Sequence, residues 1–152
     1  MVSLITIIVF VLDRIAKLYI TNNFILFESR SLIGDLVSLT YVQNTGAAFS
    51  ILQGKRTFFI IMTLIMLAVI LYLYKKHLDK NIYSILSVGL IFGGALGNFY
   101  DRLIHHYVID FIDFHFFPVF NIADMALVIG TIILSIIIWI TDQKEVTEKQ
   151  LR

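Results

Sequence analysis

The stretch GGALGNFYDRLIHHYVIDFIDFHFFPVFNIAD, residues 93–124, decides how the chain is read. It holds Asp101, Asp110, Asp113 and Asp124, four of the eleven acidic residues, between long apolar runs. An ionisable group at the centre of a bilayer costs roughly 3 kcal/mol on insertion scales, so these carboxyls are functional candidates by default. Asp110 lies in a strand-like segment, YVIDF (107–111), and Asp124 opens an apolar helix beyond a short aromatic loop. Folding can bring two such residues face to face.

The rest of the chain gives this stretch its setting. Hydrophobic residues make up 59% of 152 and charged residues 15%, against about 25% charged in a soluble domain. Mean hydropathy is +0.87. A net charge of +1 provides no basic face dense enough to track phosphates, which argues against nucleic acid as a partner. The absence of cysteine excludes disulfides, thiol nucleophiles and thiolate metal sites.

Four apolar segments, at about residues 3–21, 57–74, 82–100 and 125–141, are expected to span a membrane as one domain covering 1–152. The first lacks the basic start and small-residue cleavage site of a signal peptide, and it carries Asp13, Arg14 and Lys17 mid-run. Asp13 and Lys17 are spaced i, i+4, so on a helix they share a face and partly neutralise each other. Either they only help the bundle to pack, or they support a site. Loop 22–56 is too polar to span. Its segment LVSLTYV (36–42), between turn signals, is expected to be a strand of a small sheet outside the membrane core. Loop 101–124 lies at the same end. The charged tail from residue 142 is expected to fray. Lys75, Lys76 and Lys80 in the second connection, with Lys144, Lys149 and Arg152 in the tail, place that side and both termini in the cytoplasm by the positive-inside bias. Arg30, Lys55, Arg56 and Arg102 on the other side weaken the asymmetry.

Two carboxylates that share a site cannot both ionise cheaply, so one keeps a proton. The charged member can then deprotonate water while the protonated one polarises a carbonyl. Asp110 and Asp124, 14 residues apart, are candidates for such a pair. Asp113 and His115, near His105 and His106, raise a metal site as a rival, although no HExxH spacing occurs. No Gly-x-Ser-x-Gly or Ser-x-x-Lys motif is present, and the serines show no matching base. Gly93, Gly94 and Gly97 fit close helix packing. Asp101 beside Arg102 reads as a structural pair, while the fork of Arg102 can equally clamp a carbonyl or a lipid phosphate. Phe111, Phe114, Phe116, Phe117 and Phe120 suit a greasy mouth beside the two carboxylates, or interface anchors.

Five blocks together resemble the lipoprotein signal peptidases (signal peptidase II), membrane aspartyl proteases of bacteria. They are LDRIAK (12–17), NTGAAF (44–49), GGALGNFYDR (93–102), VIDFI (108–112) and FNIAD (120–124), in the family's order along the whole chain. Met125 departs from the small residue more usual after the last aspartate. The resemblance implies a four-helix transmembrane bundle, an all-α membrane protein with a small extracytoplasmic β-sheet in the first outer loop. It implies a catalytic pair of Asp110 and Asp124, with no cofactor and no metal. Asn44, Gly94, Asn98, Arg102, Asn121 and Ala123 match positions that bind substrate or order the site, with Asp13 in support. The implied substrate is a prolipoprotein whose cysteine already carries a diacylglyceryl group, cut just before that cysteine. The implied setting is the bacterial cytoplasmic membrane, with a monomer among membrane lipids and the site towards the outer face. The competing reading is a small transporter or channel subunit with carboxylates as ion sites, against which the chain shows no internal repeat.

The charge asymmetry predicts the labelling pattern of single cysteines in intact cells. A cysteine introduced by Asn81→Cys should resist a membrane-impermeant thiol reagent, and one introduced by Ser31→Cys should react. The reverse pattern would reject this orientation.

Overall fold

The structure, a computed structural model, describes residues 1–46 and 52–150, with side chains described as far as residue 143. It is mostly helical. The elements run α1 (Val2–Asn23), β1 (Ser29–Ile33), β2 (Val37–Asn44), α2 (Arg56–Lys76), α3 (Ile82–Ile104), β3 (Val108–Asp113) and α4 (Ile122–Gln150). Three of the helices, α2, α3 and the part of α4 at Ile122–Gln143, are long and apolar enough to cross a membrane.

Helix α3 is the hub, packing against α1, α2 and α4. Its small residues allow this. Gly89, Gly93 and Gly97 recur every fourth residue and face Ile5, Val9 and Asp13 of α1, which recur with the same period. The two helices therefore run parallel at close range, as small residues permit in lipid, where burying apolar surface drives little association. On another face of α3, Gly94 sits against the carbonyl of Ala123 and the side chain of Leu127 in α4. Gly130 of α4 in turn meets Ile91 and the Ser87 carbonyl, and Ser87 Oγ donates to the Gly130 carbonyl at 2.9 Å. The glycines predicted to pack do so.

By contrast, α2 buries none of its residues. It is held to α3 near one end, where Arg56 donates to the Leu103 carbonyl at 3.0 Å and Arg102 lies 4.8 Å over the Phe59 ring.

The sheet is antiparallel, ordered β1-β2-β3. It is not confined to the first loop, as the sequence suggested, because its third strand comes from the 101–124 loop. Strand β1 also went unread; all five of its residues are exposed, so its sequence carries no inward–outward alternation. A bulge between Leu39 and Val42 sets Thr40 and Tyr41 against Phe111 alone. Ile20, Phe24, Tyr41, Ile109 and Phe111 form a compact core where α1 meets the sheet.

Helix ends differ from the expected spans. α3 continues to Ile104, and α4 starts at Ile122 and runs as helix to Gln150, into the tail expected to fray. Hydropathy marks where a helix is apolar, whereas caps mark where it ends.

Gly94→Ala tests the α3–α4 contact. A methyl there meets the backbone of Ala123, so we expect a loss of about 1–3 kcal/mol from overpacking, despite a helix-propensity gain of up to about 1 kcal/mol. A thermal melt in detergent no lower than wild type would show that the contact yields.

Candidate active site

The site begins with a buried charge cluster between α1 and α3. Asp13 and Asp101 are fully buried, and Lys17 nearly so. Lys17 Nζ lies 2.9 Å from Asp13 and 2.8 Å from Asp101. Arg14 bridges the same two carboxylates, at 2.8 and 2.6 Å. Two cations and two anions cancel, which makes the burial of Asp13, Lys17 and Asp101 tolerable, with Arg14 15% exposed at the edge of the cluster. The sequence reading of Asp101 with Arg102 is therefore wrong. Neighbouring helix residues point about 100° apart, so Asp101 turns to α1 while Arg102 turns towards α2 and the first loop.

Each anion has a second duty. Asp13 Oδ1 accepts from the Ala123 N–H at 3.1 Å, holding the start of α4. Asp101 Oδ2 accepts from the Ile109 N–H at 3.2 Å, holding β3. Lys17 also donates to Asn98 Oδ1 at 3.1 Å, which carries the network outward.

Asn121 and Asp124 open α4 as a reciprocal capping pair. The Asp124 N–H donates to Asn121 Oδ1 at 2.9 Å, and the Asn121 N–H donates to Asp124 Oδ2 at 3.2 Å. The Asn121 amide is left free to donate elsewhere. Its Nδ2 reaches Asp110 Oδ1 at 2.6 Å, Asn98 Oδ1 at 3.1 Å and the Ile109 carbonyl at 3.3 Å. Asn44 Nδ2 donates to the other oxygen of Asp110 at 2.9 Å, and Asn98 Nδ2 donates to Asp124 Oδ1 at 2.7 Å. Three asparagines thus hold two carboxylates, one on a strand and one in the first turn of a helix.

Asp110 and Asp124 line one cavity of about 400 Å³, together with Asn44, Asn98 and Arg102. Its apolar wall includes Thr63 and Met66 of α2 and Leu127 and Val128 of α4. Phe117 and Phe120 line it too, but Phe111 belongs to the core cluster and Phe116 is exposed. The strand period of two explains Phe111. With Val108 and Asp110 turned to the cavity, Ile109 and Phe111 face the other way. Burial, first, and the negative charge of Asp124, second, push the Asp110 carboxyl up to about 7, against the lowering effect of its asparagine donors.

The residues that the resemblance assigned to the site fall on this cavity or in the network behind it. Asn44, Asn98, Arg102, Asp110 and Asp124 line it. Asp13, Asn121 and Ala123 support it through the hydrogen bonds above, and Gly94 lets the start of α4 approach. Arg102 does clamp a carbonyl, donating to Gly46 at 3.3 Å. The Gly46 N–H in turn donates to Asn44 Oδ1 at 2.9 Å. Ala47, Ala48 and Phe49 of the NTGAAF block lie outside the described residues. What the sequence missed is Arg14 as a partner of Asp101; the i, i+4 spacing revealed only Asp13 with Lys17.

The rival metal residues lie apart from the cavity. Asp113 accepts from Thr40 at 2.8 Å, and the His105 ring stacks on Tyr107 at 5.9 Å. Among the described residues, no three His, Asp or Glu side chains converge in a way that could hold an ion. One serine does meet a base, contrary to the sequence reading. Ser38 Oγ lies 3.2 Å from His115 Nε2 across the β2–β3 pairing, but Ser38 is only 5% exposed.

Long lipid-type helices around a sealed polar centre make this an integral membrane protein whose chemical groups gather where helix meets sheet. Comparison with known proteins then specifies the family. The model of the family described as "Signal peptidase (SPase) II" matches residues 5–140. The lipoprotein signal peptidase of Halothermothrix orenii is 44% identical over 139 residues, covering 91% of this chain and 95% of that protein. That of Syntrophomonas wolfei is 46% identical, covering 90% and 91%. A bacterial membrane enzyme solved by the in meso method superposes with a TM-score of 0.87 at 38% identity, over 95% of this chain and 90% of its own. The chain belongs to the signal peptidase II family. The transporter reading is not favoured.

Lys17→Met tests the charge cluster. It leaves two buried carboxylates facing one arginine, so we expect a loss of about 3–5 kcal/mol, read as a lower melting temperature in the same detergent. A melt within error of wild type would mean that the cluster is not what joins α1 to α3.

Proposed function

We propose that the chain is an aspartic endopeptidase in which Asp110 and Asp124 work as an acid–base pair on one water. As a signal peptidase II, it is a membrane peptidase that removes signal peptides from prolipoproteins. The observation that carries the aspartic reading is the pair of carboxylates on one cavity, both held by Asn121, whose side-chain Nδ2 donates to Asp110 and whose backbone N–H donates to Asp124. Asp110, with its carboxyl raised to about 7, holds the shared proton and donates it to the scissile carbonyl oxygen. Asp124, at a helix N-terminus that favours its anion, takes a proton from water. The water oxygen bonds to the carbonyl carbon, giving a tetrahedral diol. Return of a proton to the leaving nitrogen then breaks the C–N bond, freeing the signal peptide's new carboxyl end and the amine of the mature lipoprotein.

The substrate we infer is a prolipoprotein with a diacylglyceryl-modified cysteine, cut just before that residue. In support, the cavity has a polar floor and an apolar side formed by α2 and α4, where acyl chains can stay in lipid while the peptide reaches the carboxylates. Asn44 and Arg102 are assigned to holding substrate, and Asn98, Asn121, Ala123, Gly94 and Asp13 to ordering the pair. We also infer that α1 spans the membrane as a fourth helix of a single membrane domain. Its 22 residues reach about 33 Å, against a hydrocarbon core of about 30 Å, and its charges are neutralised against α3. The inferred orientation has both termini in the cytoplasm and the sheet outside, with the protein acting as a monomer among membrane lipids.

Asp110→Asn and Asp124→Asn should each abolish release of the signal peptide from a diacylglyceryl-modified prolipoprotein, followed by mass, while the melt shows a folded protein. The wild-type rate should fall as pH rises through about 7, because Asp110 then loses the proton it must donate. A chelator should leave the rate unchanged. Wild-type turnover by either variant, or activity lost to chelator and restored by zinc, would sink the aspartic mechanism.

A further inference from the structure

The face of the molecule formed by α1 and α3 carries two further cavities, apart from the one that holds the carboxylate pair. The first, about 480 Å³, is lined by Arg14 and Lys17 of α1 together with Tyr41, His105 and Tyr107. The second, about 330 Å³, is wholly apolar and lined by Ile7, Phe99 and Leu103 among others. Phe10 and Tyr100 line both, so the two adjoin.

Their order follows from the parallel packing of α1 and α3. The polar cavity lies at the sheet-bearing end, and the apolar one lies deeper along the same two helices. From Thr21 at the top of the first to Thr6 at the bottom of the second is 15 residues of α1, or about 22 Å of helix. That is about half of a bilayer 40–45 Å thick with its headgroups. A polar head above and an apolar slot below, together one leaflet deep, match one lipid molecule.

The chemistry of the upper cavity selects the head. Two cations line it, and no carboxylate is among its described lining residues. Lys17 Nζ is committed to Asp13, Asp101 and Asn98. Arg14 is not wholly committed. Its terminal nitrogens bind Asp101, Asp13 and the Gly97 carbonyl, but its buried Nε has no partner among the described residues. The guanidinium lies 4.8 Å over the Tyr100 ring. His105 stacks on Tyr107 and meets Tyr100 edge-on at 6.3 Å. An arginine whose side chain stays 15% exposed on the cavity wall, ringed by aromatic residues of the kind that sit at headgroup depth, suits a phosphodiester.

We propose that this α1–α3 groove binds one anionic glycerophospholipid, its phosphate at Arg14 and His105 and one acyl chain along Ile7, Phe99 and Leu103. The inference rests on α1 and α3 both crossing the membrane, and not on the aspartic mechanism. It gives the enzyme a resident lipid on a different face from the substrate's apolar wall, clamping α1 to α3 beside the charge cluster.

The test is native mass spectrometry of the full-length protein in detergent, titrated with phosphatidylglycerol or with a diacylglycerol of the same chains. Wild type should bind phosphatidylglycerol more tightly by about fivefold or more, the scale of one charge at a membrane surface. His105→Glu puts a carboxylate beside the phosphate and should remove that preference while leaving diacylglycerol binding unchanged. Leu103→Trp fills the apolar slot and should weaken both lipids. Equal binding of the two lipids by wild type would overturn the proposal, as would an undiminished preference in His105→Glu. Signal-peptide release by the same variants, measured separately, should persist. Its loss with lipid binding intact would count against the separation of the two faces and leave the lipid site standing.

Discussion

Two oppositely charged pairs buried between α1 and α3 hold the rest of the structure in register. In lipid, apolar side chains gain little by leaving the bilayer for one another, so helix association relies on close packing and on polar contacts. Here the glycine stripe of α3 brings α1 close, and Asp13, Arg14, Lys17 and Asp101 then lock one longitudinal position. A shift by one turn, about 5.4 Å, would part Asp101 from Arg14 and Lys17, leaving a buried anion on α3 and a surplus cation on α1. Desolvation makes such a cluster a poor source of net stability. It penalises wrong registers heavily, because Asp101 is then left unpaired where the dielectric is low.

The same carboxylates transmit that register to the site. Asp13 holds the N–H of Ala123 and Asp101 holds the N–H of Ile109, so the start of α4 and strand β3 are both placed relative to one cluster. Asp124 and Asp110 sit one residue beyond those two anchors. Between them, Asn121 uses its carbonyl as a helix cap and its amide as a donor to the strand. An aspartate in its place would add a third negative charge, and an alanine would leave both neighbours short of a partner. An amide offers donor and acceptor at once without charge.

The outer surface belongs to a different solvent. α2 is apolar on every side and buries nothing, which in water would be a large exposed patch and in a bilayer is ordinary lipid contact. The side of the molecule formed by α2 and α4 leaves an apolar wall next to the carboxylates. The α1–α3 side, by contrast, is closed by charge pairing and aromatic rings. The molecule therefore presents two unlike faces, one bordering the cavity of the carboxylate pair and one carrying the groove proposed for a resident lipid.

By itself, the sequence determined the four apolar segments, the long polar loops between them and the aspartates that could not be surface decoration. These are legible because hydropathy and the cost of buried charge act residue by residue. The Asp13–Lys17 pair was legible for a similar reason, since helical spacing is local. The tertiary structure alone decided which aspartates meet. Asp101 pairs with Arg14 across 87 positions, and its neighbour Arg102 points elsewhere, a choice set by where α3 faces α1. Strand β1 left no mark in the sequence because neither of its sides is buried, and β3 joined the sheet through pairing with β2, which no local pattern announces. Phe111 looked like its aromatic neighbours but turned into the core, because β3 alternates and Asp110 had taken the cavity side. Local chemistry names the groups, but long-range packing between helices and strands decides which of them share a dry space.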